Sequence, residues 1–235
     1  MGRVFEKRKH KIFARNNKIS KLYTKFGKEI AIAVKAGGAN PDSNPRLKQI
    51  MQNARGADMP KDRIEAAIKR ASDKGSENYE EVIYEGYGPH GVAIVVETAT
   101  DNTTRTVANI RMYFNRSGGS LGTQGSLDFM FTRMGVFQIN AEGQDMGELE
   151  MELIDFGAEE IGESDGIIFV YTSFENFGKM QKALDEKGIT VINAELQRIP
   201  VTFAELNSEQ EDDIIKLIDK IEEDDDVTNV FHNMK

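Results

Sequence analysis

Cysteine and tryptophan are absent, and there are only five prolines and three histidines among 235 residues. Without cysteine there are no disulfides, no thiolate metal ligands and no thiol nucleophile, and a reducing cytoplasm is the expected home. Neither HExxH nor paired Cys and His spacings occur, so no metal or cofactor is expected. The two GxSxG strings, Gly118 to Gly122 after a helix and Gly162 to Gly166 between two strands, lack the strand-to-helix setting of a nucleophile elbow, and His10, His90 and His232 are scattered through the chain, so a nucleophile and base pair is not suggested. No apolar run approaches the roughly 20 residues of a membrane span, and the first residues lack the apolar stretch of a secretory signal. The expectation is a protein with no membrane partner.

What the sequence does have is divided charge. The formal net charge is −9. Residues 1–75 nevertheless carry 19 Lys and Arg against 7 Asp and Glu, leaving 11 basic and 32 acidic residues for the rest. Such asymmetry points to a polyanion partner for the basic part, with the acidic part limiting indiscriminate adhesion. Arg3, Lys7, Arg8, Lys9, Lys11, Arg15, Lys18, Lys21, Lys25 and Lys28 face only Glu6 within the first 28 residues. Phosphate backbones reward this pattern through counterion release. Phe5, Phe13 and Tyr23 are interleaved and suited to stacking on exposed bases, although Phe13 also suits an anchor and Tyr23 a core position. Nothing here reads a base sequence, which needs placed bidentate contacts.

Residues 1–18 show no sustained helical stripe and read as a basic arm. Residues 19–76 read as a three-helix bundle. Leu22, Phe26, Ile30 and Val34 recur at helical spacing, Asn44-Pro45 opens a second helix, and Pro60 opens a third with Lys61, Arg63, Lys69 and Arg70 outward. From residue 77 the period becomes that of strands. Residues 77–134 plus 200–235 are expected to form one discontinuous α/β domain, with residues 135–199, a strand-helix-strand-strand-helix-strand series, inserted as a ferredoxin-like module. The fold class is therefore α+β: an N-terminal three-helix bundle followed by two ferredoxin-like α/β domains, one inserted in the other.

"GGSLGTQGS", Gly118 to Ser126, suggests a phosphate loop but follows a helix and lacks a GK[ST] ending, so a tight turn or bulge is the better reading. "EEDDD", Glu222 to Asp226, lacks the spacing of a calcium loop and reads as a solvated connection. Asp101 and Asn102 read as caps of the helix that follows, and Arg105 as a surface ion pair.

The runs "KFGKEIAIAVKAGGANPDSNPRLKQIMQNARGADMPKDRIEAAIKRAS", "YEGYGPHGVAIVVETATDNTTRTVANIR" and "GGSLGTQGSLDFMF" resemble the YebC family of bacterial regulators, whose mitochondrial relatives include the translational activator of cytochrome oxidase subunit one. The resemblance covers nearly the whole chain. Its "MPKD" turn falls on Met59, Pro60, Lys61 and Asp62, its "YEGYGPHG" turn on Tyr84 to Gly91, and its "DNxxRT" element on Asp101, Asn102, Arg105 and Thr106, whose role it does not define. Many members open with "GHSKWANIKHRK", where this chain has "GRVFEKRKHKIF"; the basic character is kept and the tryptophan is not. The resemblance implies three domains, one inserted in another, and two competing roles: a transcriptional regulator binding DNA, or a ribosome-associated factor binding ribosomal RNA and relieving stalls at proline-rich stretches.

The reading that follows is a non-enzymatic, cytoplasmic nucleic-acid-binding regulator of gene expression, with DNA or ribosomal RNA as partner and the ribosome as a further one, and with a monomer favoured. Phosphate contacts are expected from the ten cations of residues 3–28 together with Lys61 and Arg63. Two rivals remain open: an enzyme built around Asp101, Asn102 and Arg105, and a protein-interaction scaffold independent of residues 1–18.

Overall fold

A computed structural model describes residues 19–73 and 78–235. The N-terminal helices are α1 (Ile19–Gly37), α2 (Pro45–Gly56) and α3 (Lys61–Ser72). Next come β1 (Glu80–Tyr87), β2 (Ala93–Thr100), α4 (Thr103–Arg116), β3 (Ser120–Leu121) and β4 (Phe131–Asn140). The chain continues through α5 (Met146–Ile154), β5 (Ala158–Ser164), β6 (Ile167–Ser173), α6 (Phe177–Glu186), β7 (Val191–Pro200), α7 (Ser208–Glu222) and β8 (Val227–His232). The fold is α+β, with the N-terminal helices followed by two α/β domains that each hold a four-stranded sheet. The expected arm, with Arg3, Lys7, Arg8, Lys9, Lys11, Arg15 and Lys18, lies outside the described residues.

By contacts the chain divides into two compact units, and the division runs through the N-terminal helices. One unit holds Ser20–Leu47, Glu65–Thr132 and Ile199–Lys235; the other holds Lys48–Ile64 and Arg133–Arg198. In the first unit the sheet order is β3-β1-β2-β8. β1 and β2 are an antiparallel hairpin, and its turn places His90 at φ 62° and Gly91 at φ 76°. β2, α4 and β3 form a split crossover around β1. Alternation along β2 decides what each face meets. Val92, just before it, and Ile94 and Val96 pack with Ile110 and Phe114 of α4 and with Ile214, Leu217, Ile218 and Ile221 of α7. Ala93 and Val95 face the other way, onto Leu127, Phe131 and Phe231. With both faces covered, the strand reads as the continuous apolar run "AIVV".

α1 and α2 are joined by a turn that Asn44 holds from both sides. Its Oδ1 accepts the Leu47 N–H at 3.1 Å, capping α2, while its Nδ2 donates to the Ala33 and Gly38 carbonyls, each at 2.8 Å. Gly38 sits at φ 85°, the left-handed conformation that closes a helix.

In the second unit the sheet order is β5-β6-β4-β7, the arrangement a βαββαβ chain adopts when its two crossovers place both helices on one face. Phe137, Ile139, Ile168 and Val170 meet Leu149 and Leu153 of α5 and Met180 and Leu184 of α6. β7 is an edge strand, and α2 covers it. Asn53 Nδ2 donates to the Ala194 carbonyl and its Oδ1 accepts the Ala194 N–H, both at 2.8 Å, so one side-chain amide satisfies the edge as a neighbouring strand would. Gln52 Nε2 donates to the Val191 carbonyl, and Lys48 pairs with Asp185 at 2.6 Å. The approach is close enough that a Cβ on Gly56 would lie 1.9 Å from the Ile192 carbonyl oxygen.

Candidate functional site

The "DNxxRT" element converges on Asp226, a residue of the "EEDDD" run. Asn102 is the N-cap of α4 and accepts the Arg105 N–H at 3.0 Å. Capping fixes the first turn, which aims Arg105 and Thr106 at the loop between α7 and β8. Arg105 donates through Nη2 to Asp226 Oδ2 at 2.7 Å and to Asp101 Oδ1 at 2.7 Å. Thr106 Oγ1 lies 2.8 Å from Asp226 Oδ2 and 2.7 Å from Thr100 Oγ1, and the Asn102 N–H donates to Thr100 Oγ1 at 3.0 Å. One proton per hydroxyl closes this chain if Thr100 donates to Thr106 and Thr106 to the carboxylate. The other carboxylate oxygen, Oδ1, accepts from Lys28 Nζ at 2.8 Å.

Asp226 is 4% exposed, so its charge requires compensation. Burial pushes the carboxyl up, but the hydrogen bonds from Lys28, Arg105 and Thr106 and the Lys28 charge outweigh it and bring it down to about 2. The bonds to Asp226 and then Asp101 raise the Arg105 guanidinium. The carboxylate and the guanidinium thus hold each other in their charged forms. Beside it, Tyr113 and Asn109 donate to Asp224 Oδ2, both at 3.0 Å. Burial, and then the Asp224 charge, pushes the Tyr113 phenol up to about 12.

Three of the expected phosphate contacts lie in this cluster. Lys21, Lys25 and Lys28 recur at four and three residues along α1, which sets them on one helical face. Lys21 Nζ donates to the Glu223 carbonyl at 2.7 Å, and Lys25 Nζ to Asn229 Oδ1 at 2.8 Å. Lys28 Nζ donates to Asp226, to the Asp225 carbonyl at 2.8 Å and to the Ala99 carbonyl at 3.1 Å. Its three protons are thereby used inside the protein and its side chain is buried, so the expectation of a phosphate contact at Lys28 is corrected. The stripe clamps α1 to the segment from Glu223 to Asn229. Lys61 and Arg63 are exposed on the first turn of α3.

Two loop readings are also resolved. The "EEDDD" run is a solvated connection in its first part only, because Asp226 is the buried anchor described above. "GGSLGTQGS" holds the short strand β3 and then a turn stabilised from within: the Glu85 carboxylate, 3% exposed, accepts the Gly125 N–H at 2.8 Å and the Leu127 N–H at 2.6 Å. The loop's donors thus meet an internal anion. His90, in its turn, lies 3.2 Å from Asp213 through Nε2. Sequence reasoning missed Asp226 and Glu85. The available signal for Asp226 was its place directly before the apolar strand "VTNVF"; for Glu85 it was one acid inside an otherwise apolar alternation.

Residues 3–74 match the family model described as the TACO1/YebC protein N-terminal domain, and residues 79–234 match the one described as the TACO1/YebC second and third domain. The chain belongs to the TACO1/YebC family. Relatives include a "Probable transcriptional regulatory protein" of Cytophaga hutchinsonii, 56% identical over 234 residues and covering 100% of this chain and 98% of the relative. Another of that name, from Anaeromyxobacter dehalogenans, is 52% identical over 239 residues and covers 100% of both chains. The crystal structure of a conserved hypothetical protein from Aquifex aeolicus superposes with a TM-score of 0.81 at 35% identity, covering 93% of this chain and 92% of that one. The match to the second and third domain spans the Asp226 cluster from Thr100 to Asp226, and the match to the N-terminal domain holds its Lys28. No described helix is long and apolar enough to cross a membrane.

Proposed function

We propose that this YebC-family chain is a non-enzymatic regulator of gene expression, of the transcriptional type its relatives are named for, which binds DNA through residues 3–18 together with Lys61 and Arg63. The segregation of charge carries this reading. With Lys21, Lys25 and Lys28 engaged by protein, residues 1–18 still hold seven Lys and Arg against one Glu. The Asp226 cluster holds α1, the helix that follows that segment in sequence.

The test is a duplex-binding isotherm at several salt concentrations. Each phosphate neutralised contributes about −0.9 to the slope of log K against log salt. Replacing Lys7, Lys9, Lys11 and Lys18 by Gln is expected to flatten the slope by roughly 3 to 4. Lys21→Gln and Lys25→Gln are expected to leave it unchanged. A slope that ignores the first set overturns the reading.

A second reading is ribosomal RNA as the polyanion. Phe5 and Phe13 among the cations favour it, because folded RNA offers unpaired bases for stacking and duplex DNA does not. Co-sedimentation with ribosomes that is lost in the same Gln variant would select it.

A further inference from the structure

The outward face of α5 has the chemistry of a docking surface. Leu149 and Leu153 are buried in the core of the inserted domain, yet Met151 and Ile154 are 69% and 57% exposed. Gly147, Met151 and Ile154 fall at four- and three-residue spacing, so they form one stripe on the helix side away from the core. Isolated exposed apolar residues are ordinary, but Met151 and Ile154 adjoin on one side of a nine-residue helix, with Gly147 leaving the turn before them open. Glu148, Glu150 and Glu152 rim it, all exposed. Lys187 answers Glu152 at 2.8 Å, whereas Glu148 and Glu150 form no ion pair with any described residue.

The occupant that fits is apolar and strongly basic, and the chain carries one. Residues 1–18 hold seven Lys and Arg against one Glu, interspersed with Val4, Phe5, Ile12 and Phe13; residues 133–198 hold fourteen acidic against five basic residues. Eighteen residues span up to about 60 Å when extended. Tethering raises the effective concentration of such a segment to the millimolar range, so a weak affinity suffices to populate the contact.

We propose that the basic segment 1–18 docks on the outward face of α5, with its apolar residues against Met151 and Ile154 and its cations beside Glu148 and Glu150. The consequence for nucleic acid rests on the reading given above: α5 and phosphates then compete for the same cations, and the free protein is self-restrained. A partner binding only the free form gains affinity when the docked form is removed; if docking holds about nine-tenths of the molecules, that gain is about tenfold.

Because the chain has no cysteine, one introduced at exposed Gln144, just before α5, takes a single nitroxide. The full-length protein at low ionic strength is expected to show paramagnetic broadening of the amide signals of residues 3–15, relieved by Met151→Ser with Ile154→Ser and by raised salt. Glu148→Gln with Glu150→Gln, which leaves the apolar stripe intact, is expected to weaken the broadening in the same sense. Unbroadened signals in a protein whose remaining spectrum is dispersed overturn the docking. If those signals are unbroadened while duplex binding still depends on the segment, the docking falls and the nucleic-acid reading stands. If they are broadened and a duplex oligonucleotide does not displace them, the docking stands and the nucleic-acid reading falls.

Discussion

At Asp226, in the loop before β8, a single carboxylate gathers partners from three parts of the chain: α1, the end of β2 and the start of α4. Its folded value, about 2, lies below its ordinary 3.8, so its contribution is fully present above pH 4 and is lost as pH falls through the folded value. The shift corresponds to roughly 2 kcal/mol. Asp226→Asn is expected to lower stability near neutral pH, and its deficit against the wild type should shrink between pH 4 and pH 2. Urea unfolding midpoints at a series of pH values measure this. A deficit that stays constant with pH would mean the charge is not what the cluster uses. Gly56 makes a sharper steric statement. A Cβ at that position would meet the Ile192 carbonyl oxygen at 1.9 Å, so Gly56→Ala requires α2 to back away from β7. The expected cost is about 2 kcal/mol or more, read from the midpoint of chemical unfolding.

Among the elements, α1 is held as a unit by its lysines, and they are not equal. Lys28→Met leaves a buried carboxylate with only part of its compensation and is expected to cost about 3 kcal/mol, whereas Lys21→Gln and Lys25→Gln should barely move the thermal midpoint. Comparing the three melting curves tests this ranking. The same stripe shows what the sequence conceals. Helix and strand positions, the cap at Asn102 and the order of the inserted domain are legible from periodicity, from Asn and Pro at helix starts, and from glycine at helix ends, because these signals act over a few residues. The destination of a cation is not legible in that way. Lys25 and Lys28 are three residues apart on one helical face, and only the distant Asp226 distinguishes a buried ion pair from a solvated charge. Glu85 was hidden for the same reason: its partners, Gly125 and Leu127, lie forty residues away in a loop whose composition pointed outward.

On the scale of the whole molecule, the inserted domain leaves the first unit near residue 132 and returns near residue 199. Just inside those points the Val201 N–H donates to the Met130 carbonyl at 2.9 Å, so the exit and the return are neighbours. Excising residues 134–198 and joining the ends with a short turn is expected to leave the sheet β3-β1-β2-β8 folded. Residues 48–56 should lose protection, because Asn53, Gln52 and Lys48 then have no Ala194, Val191 or Asp185 to bind. Amide hydrogen exchange on the shortened chain reads both outcomes, and protection unchanged over residues 48–56 would contradict the packing of α2 on β7.

The paired bonds between Asn53 and Ala194 have one more effect, on how this sheet behaves in a crowd. Fibre growth by edge addition needs two open rims, one to receive a strand and one to offer the next. At β7 the receiving groups of Ala194 are spent on an amide that cannot itself be extended. That leaves β5, whose Glu159 and Glu163 meet their own kind in any second copy. A sheet closed on one rim and charged on the other can pair once at most, and a chain of such sheets stops at two.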